Sequence, residues 1–281
     1  MEHLLIVGCG AVGRRIASLA LEQGLTVCTF NRGEAGVSGT RHFTGTLDDP
    51  ATLGALPTRG AGIIYLAPPP GGGIHETRVA KFCAAIAPGQ EPEKLVYIST
   101  SGVYGDCSGD TVTEEAEPDP QTSRGKRRLH GERLFQAWGR ERGVAVVILR
   151  VTAIYSRDRL PVSQLSGGQP VLRQEESLPG NRIHSDDLSR ICLAALERGK
   201  DGDIFNVSDG APCTMTEYFN AAADALGLPR PRQVTMEEAR QIMTPLMISY
   251  FSESRVVDNS KMLRELGITL LHPDLESGLK E

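Results

Sequence analysis

Gly8, Gly10 and Gly13 stand in the spacing G-x-G-x-x-G, directly after the apolar run 4–7 and directly before a helical pattern. Each glycine has its own task in such a turn. The first permits the tight exit from a strand, the second lets backbone approach a pyrophosphate, and the third lets the helix pack closely on the strand. The free N–H groups and positive dipole end of the helix then face the phosphates. Gly8, Cys9, Gly10, Ala11, Val12 and Gly13 are therefore the expected cradle of a dinucleotide. The next strand, 26–30, ends in Asn31-Arg32, where an NAD-binding fold usually places an acidic residue against the ribose hydroxyls. No carboxylate is there to repel a 2′-phosphate, and Arg32 offers a planar charged fork that suits one. Asn31 and Arg32 thus favour NADP, while Glu34 keeps NAD open.

These groups need a frame to hold them. Helix 11–23 carries Val12, Ile16, Leu19 and Ala20 on one face, and Gly24 is its natural stop. A third strand over 40–47, a turn and helix start at Asp48-Asp49-Pro50, and a short apolar strand 62–67 follow. That strand runs into Ala67-Pro68-Pro69-Pro70-Gly71-Gly72-Gly73, which fits neither a helix nor a central sheet. A loop at the carboxyl end of a strand lies where open α/β sheets bind ligands, so Ala67, Pro68 and Pro69 are expected at the cofactor. Helix 74–87 and strand 95–98 complete the order β-α-β-β-β-α-β, spaced as in an α/β, Rossmann-type doubly wound parallel sheet.

The composition agrees with this frame. The 281 residues are 40% hydrophobic and 23% charged, with a net charge of −5. That balance does not favour a nucleic-acid or anionic-membrane surface. The best apolar run, 144–149, stops at Arg150, far short of a membrane span. The chain enters its first strand at once, with no signal peptide, and its six scattered cysteines read as reduced thiols, so a cytoplasmic protein is expected. The six histidines lack metal-ligand spacing, and no metal is expected.

A second stretch, Val96-Tyr97-Ile98-Ser99-Thr100-Ser101-Gly102-Val103-Tyr104-Gly105-Asp106, resembles the segment after the corresponding strand in extended short-chain dehydrogenases/reductases, the family that includes nucleotide-sugar epimerases and dehydratases. Leu149-Arg150 to Tyr155, Arg182-Ile183-His184-Ser185-Asp186-Asp187-Leu188 and Phe205-Asn206-Val207-Ser208-Asp209-Gly210 match further family segments in order, over nearly the whole chain. The family's chemistry needs a Ser or Thr, a Tyr and a Lys, the last two as Y-x-x-x-K on one helix face, where the Lys charge lowers the Tyr pKa. By position Ser101 resembles the family's serine, with Thr100 the near alternative. Ser99 is expected at the cofactor.

The helix that should carry Y-x-x-x-K reads Thr122-Ser123-Arg124-Gly125-Lys126-Arg127-Arg128-Leu129-His130-Gly131-Glu132. Aligned on Glu132, Arg128 takes the Lys position and Arg124 the Tyr position; the other register uses Lys126 with Thr122. Neither contains a tyrosine. Arginine stays protonated and cannot exchange a proton near neutrality. Arg128 is expected to hydrogen-bond the nicotinamide ribose, and Arg124 to face the substrate. Tyr104 and Tyr155 are lesser candidates for proton transfer, and His130 and His184 titrate in the right range. For His184 the plainer role is a fixed residue beside a helix cap, with Ser185 or Asp186 capping helix 187–198.

The pattern resembles the atypical members of the family, which lack the catalytic tyrosine. The resemblance implies an NAD(P)-binding oxidoreductase or epimerase-like protein with a small, anionic or sugar-like substrate. The missing tyrosine leaves a non-catalytic NADP-binding sensor or regulatory protein as the alternative. The resemblance also implies a Rossmann domain over 1–157, rejoined by 183–208, and a mostly helical substrate-side lobe over 158–281. Pairing of two copies through helix 122–142 follows by the same analogy. In the lobe, Arg157, Arg159 and Arg173 are expected anion contacts, and Met243, Met247, Tyr250 and Phe251 either line the substrate or pack in a core. Thr216 and Glu217 open a helix ending near Leu226-Gly227, Thr235 and Glu238 form a capping box for a helix ended by Pro245, and Asn259 or Ser260 caps a short one.

Overall fold

The computed structural model describes all residues except Ala35, Pro245, Leu246, Ser249, Tyr250, Ser252 and Glu281. The expectations for Pro245 and Tyr250 therefore lie outside the described residues. The alternation of side chains along the first strand decides the layering. In β1 (His3–Val7), Leu4 and Ile6 face one layer while Leu5 and Val7 face the other, and all four are buried. A strand apolar on both faces belongs inside a parallel sheet covered by helices on both sides.

The chain continues through α1 (Ala11–Glu22), β2 (Thr26–Asn31), β3 (Arg41–Thr44), β4 (Gly62–Tyr65), α2 (Thr77–Ala85), β5 (Lys94–Thr100), α3 (Ser123–Arg142), β6 (Ala145–Val151), α4 (Ser185–Arg198) and β7 (Ile204–Val207). These strands form a parallel seven-stranded sheet in the order β7-β6-β5-β4-β1-β2-β3. α1 and α4 pack against Ile6, Val96 and Leu149 on one face, while α2 and α3 pack through Phe82 and Phe135 against Tyr65 and Tyr97 on the other. The doubly wound α/β reading of the sequence holds.

Strand order reverses beside β1. Val7 is in register with Phe30 of β2 and with Tyr65 of β4, so three carboxyl ends meet at one point. That switch point is where open α/β sheets leave a crevice for ligands.

Some boundaries differ from expectation for local reasons. Pro50–Thr52 is only a single 3-10 turn, fastened by the Asp49 carboxylate accepting from Ala51 N at 3.0 Å. α2 starts at Thr77 rather than 74, because the buried Glu76 caps it, accepting from Arg78 N at 2.9 Å and Val79 N at 3.3 Å. His184 itself caps α4, its Nδ1 accepting from Asp186 N at 3.3 Å, so that helix begins at Ser185.

Beyond β6 the chain builds smaller clusters. Helix α5 (Met215–Leu226) packs Tyr218, Phe219 and Ala222 on Leu160, Leu165 and Val171. Helix α6 (Met236–Ile242) contributes Ala239 to a cluster with Leu172, Val234 and Met243, against which Met247 packs. Both helices open with a capping box, Thr214 with Glu217 and Thr235 with Glu238. The first lies two residues earlier than expected. Helix α7 (Ser260–Leu266) returns to the main sheet, where Met262 and Leu266 are buried in the core shared with α1 and α4. No helix among the described residues is long and apolar enough to cross a membrane, and all six cysteines are free.

Candidate functional site

The glycine turn is built as its spacing demands. Gly8 has φ +91°, and a Cβ there would lie 2.6 Å from the backbone nitrogen of Ala67. Both the turn and the close approach of the loop after β4 require glycine. A Cβ on Gly13 would press on Ile6 Cγ2 at 3.3 Å and Cys9 Sγ at 3.4 Å, so this residue seats α1 on β1. Gly10 differs: a Cβ there meets nothing within 4 Å. Its neighbourhood is open, at the N-terminus of a helix with no side-chain cap and no acidic residue in its first turn. The side chains of Cys9 and Val12 turn into the core, leaving only their backbone towards this space.

A cleft of about 310 Å³ begins there and runs over the ends of β1, β2 and β4. Asn31 fastens its floor, Nδ2 donating to Cys9 O at 3.0 Å, while its Oδ1 is buried without a hydrogen-bond partner. Arg32 stands exposed at the rim, and no carboxylate is among the described lining residues. Ala67 and Pro68 form the opposite edge, with Leu47 as an apolar wall. An uncapped helix end, an orphaned amide oxygen and the space above Gly10 together fit a dinucleotide.

Arg78, which the sequence reading passed over, also lines this cleft. It clamps Asp48 with Nε at 2.9 Å and Nη2 at 2.6 Å, and it donates to Pro68 O at 3.0 Å. The guanidinium holds Asp48 below the ordinary carboxylate range. Pro69 O also accepts from Arg78, and Gly73 O accepts from Arg127, so the Pro-Gly loop is tied down near both ends.

At the ends of β4 and β5, Arg128 fills the gap. Its Nη1 donates to Ile98 O at 2.9 Å, to Ala67 O at 3.3 Å and to Tyr97 OH at 3.4 Å. Arg124, one turn earlier, goes to a different place: a second cleft of about 240 Å³, lined also by Thr100, Ser101, Asn181, Arg182, Glu253 and Arg255. Thr100 ends β5, and its Oγ1 accepts from Gly102 N at 3.1 Å. Arg255 closes the cleft, donating to Gly105 O at 2.8 Å and Ser101 O at 3.4 Å and pairing with Glu253 at 2.6 Å.

Several expected groups are not brought to either cleft. Ser99 is buried on the opposite face of β5, its hydroxyl donating to Glu132. Alternation along the strand explains this, since neighbouring residues face opposite layers. Glu132 pairs with Arg150 of β6 at 2.9 Å, with both side chains almost fully buried. The Arg150 guanidinium lies 4.9 Å from the Tyr104 ring centre, and the Tyr104 hydroxyl donates to Asn206 Oδ1 at 2.8 Å. Burial raises the Tyr104 pKa against the pull of Arg150. Tyr155 is fully buried, donates to Asp274 O at 2.9 Å and is likewise raised by burial. Both phenol protons are engaged by acceptors within the protein.

His130 accepts from Glu76 N at 2.9 Å, and burial, with His75 and Arg133 nearby, lowers its pKa. Arg157, Arg159 and Arg173 are exposed and line neither cleft. Phe251 does line the second cleft, whereas Met243 and Met247 pack in the satellite core. His184, Asp186 and His272 bring donor atoms within 4.8 Å of one another, a grouping that their sequence spacing hides. Its one carboxylate is already engaged by Arg15 Nε at 2.8 Å.

The profile of the NAD dependent epimerase/dehydratase family matches residues 4–208. Among curated proteins, the chain is 22% identical to Protein YeeZ of Escherichia coli (strain K12) over 98% of this chain and 97% of that one. It is 33% identical to an uncharacterized protein, y4nG, of Sinorhizobium fredii, over 45% of this chain and a third (33%) of that relative. Among solved structures, a functionally unknown conserved protein from Silicibacter pomeroyi superposes with a TM-score of 0.81 at 26% identity, covering 100% of this chain and 97% of that one. The UDP-glucose 4-epimerase of Thermotoga maritima, solved with UDP-glucose, gives 0.80 at 17% identity over 99% and 96%.

Proposed function

Because the chain belongs to the NAD dependent epimerase/dehydratase family, we propose that it binds a nicotinamide dinucleotide, NADP in preference to NAD, and acts with it on a small anionic or sugar-like substrate. One observation carries this reading. The open space at Gly10, below the uncapped end of α1, continues to Arg32 through a cleft with no carboxylate among its described lining residues. Backbone N–H groups 11–13 would hold the pyrophosphate, Arg32 the 2′-phosphate, and Ala67 with Pro68 the nicotinamide half.

The nicotinamide, when bound, supplies hydride transfer. The chain's own groups do the rest. Ser101, or Thr100 in its place, would hydrogen-bond to the substrate oxygen and polarise it. Arg124 attracts the substrate's charge. Arg128 holds the ends of β4 and β5 together and presents a fixed cation to the cofactor ribose. Support for separate roles comes from the divergence of the two arginines, one at the sheet end and one in the second cleft.

Calorimetry with NADP and NAD on the native chain and on Arg32→Ala tests the cofactor assignment. We expect tighter NADP binding in the native chain and loss of that preference in the variant. An unchanged preference would sink the assignment. A second reading, a cofactor-binding sensor without turnover, is favoured by the engaged hydroxyls of Tyr104 and Tyr155. It requires oxidised and reduced cofactor to bind with different affinity, and no turnover on carbonyl or nucleotide-sugar panels.

A further inference from the structure

The second cleft holds two donors that the fold has built and left unused. Arg182 is 6% exposed. Its guanidinium lies 3.8 Å from the Tyr218 ring centre, and Nη2 meets Met215 Sδ at 3.5 Å. Its Nε is buried with no hydrogen-bond partner. Among the described residues it forms no ion pair; its company is an aromatic face and sulfur. The neighbouring carboxyl of Asp209 is no strong counterion, since burial pushes its pKa up to about 7 despite Arg182. Beside it, Asn181 is 7% exposed; its Oδ1 accepts from Val257 N at 2.6 Å, while its Nδ2 has no partner.

A buried cation whose neighbouring carboxyl is held partly neutral is poorly compensated, and an unfilled buried amide donor adds to that cost. The site also contains an acceptor. Glu253 pairs with Arg255 through one oxygen, and its other oxygen, Oε1, is buried without a partner. The cleft's volume, about 240 Å³, falls below the roughly 300–1,000 Å³ typical of drug-sized ligands. A nucleotide sugar is larger than such ligands, so this space suits a much smaller molecule.

We infer that this cleft takes a small hydroxycarboxylate, its carboxylate seated on Arg182 and Asn181 and a hydroxyl directed to Glu253, rather than a nucleotide sugar. Arg182 brings the charge that a carboxylate needs, and Asn181 a second unfilled donor in the lining of the same cleft. A phosphate monoester carries a third oxygen and a second charge, and Glu253 disfavours both. The inference rests on the reading of this cleft as the substrate side of a nicotinamide enzyme, and it can be tested apart from turnover.

Calorimetry on the full chain, with and without saturating NADP, would use glycerate, lactate, inorganic phosphate and UDP-glucose as probes. Glycerate or lactate should bind. Arg182→Met, which keeps the stem on Tyr218, should weaken that binding about tenfold or more, as loss of a charge-assisted pair does. Arg182→Lys should weaken it less, and NADP affinity should stay unchanged in both. The melting temperature of Arg182→Met should equal or exceed that of the native chain, because an unpaired buried charge has gone; should that variant fail to fold, Arg182→Lys carries the comparison. Equal carboxylate binding by native chain and variant overturns the inference, as does tighter binding of phosphate or UDP-glucose, or no carboxylate binding at all. If carboxylate binding depends on Arg182 but NADP does not bind, the redox reading fails and the subsite stands. If NADP binds and no carboxylate does, the reverse holds.

Discussion

Gly8 and Gly10 look alike in the sequence and stand in different physical situations. Alanine at Gly8 must adopt φ +91° and meet Ala67 N at 2.6 Å. The left-handed backbone alone costs about 1–2 kcal/mol, before the clash. We expect Gly8→Ala to lower the melting temperature and to abolish cofactor binding. Alanine at Gly10 meets nothing within 4 Å. Gly10→Ala should leave the melting temperature near that of the native chain and weaken cofactor binding alone, which thermal melts and calorimetry would separate. A loss of stability at Gly10 equal to that at Gly8 would argue against open space as the reason for glycine there. Asp209 offers a titration. Burial raises its carboxyl from the ordinary 3.8 to about 7. The folded chain therefore keeps a proton that the unfolded chain releases. The stability from the neutral carboxyl is complete below about pH 4 and is lost as pH rises through about 7. Asp209→Asn mimics the neutral form, so its melting temperature should gain on that of the native chain between about pH 4 and about pH 7 and hold a steady lead above that. The glycines were legible because a backbone requirement is written in the residue type itself. Arg182 was not. It sits in a stretch that reads as the start of a helix, and its burial depends on Tyr218 and Met215 from a later helix.

At the scale of elements, α3 shows how charge can mislead. Its sequence is rich in arginine and reads in part as a solvated face, yet Leu129, Gly131, Glu132, Phe135 and Trp138 are buried. Glycine at 131 is needed because a Cβ there would lie 2.5 Å from Tyr97 OH. The Glu132–Arg150 pair then joins α3 to β6 in the buried interior. Removing one partner of such a pair leaves a buried charge uncompensated, at a cost of about 3–5 kcal/mol. Denaturant unfolding of Glu132→Ala should show a loss of that order, and Arg150→Met in the same chain should restore part of it. Additive losses would mean the two charges do not compensate each other. Sequence reasoning used Glu132 only as an alignment marker, because an acidic residue on a basic helix gives no local sign of where its partner lies. The strands were easier to read, since each apolar run carries its own evidence of burial on both faces.

The whole molecule carries a net charge of −5, yet arginines mark both clefts: Arg32 and Arg78 in one, Arg124, Arg182 and Arg255 in the other. Anionic ligands must therefore find local positive regions within a negative field. Raising salt from about 0.05 M to about 0.5 M screens exposed charges. We expect it to weaken NADP more than NAD, because Arg32 is exposed and only NADP carries the 2′-phosphate. Equal weakening, read by titration at the two salt concentrations, would remove Arg32 from phosphate recognition. The parallel sheet has a further consequence, in time. The contact of Gly8 with Ala67 needs only β1 and β4, whereas the second cleft gathers Ser101, Arg182 and Arg255 from distant parts of the chain. Contacts between remote segments form late, because each must overcome the entropy of closing a long loop. During refolding from denaturant, protection of the glycine turn should therefore appear before the second cleft can bind any probe. By that order the chain would complete its glycine turn early and the cleft lined by Ser101, Arg182 and Arg255 last.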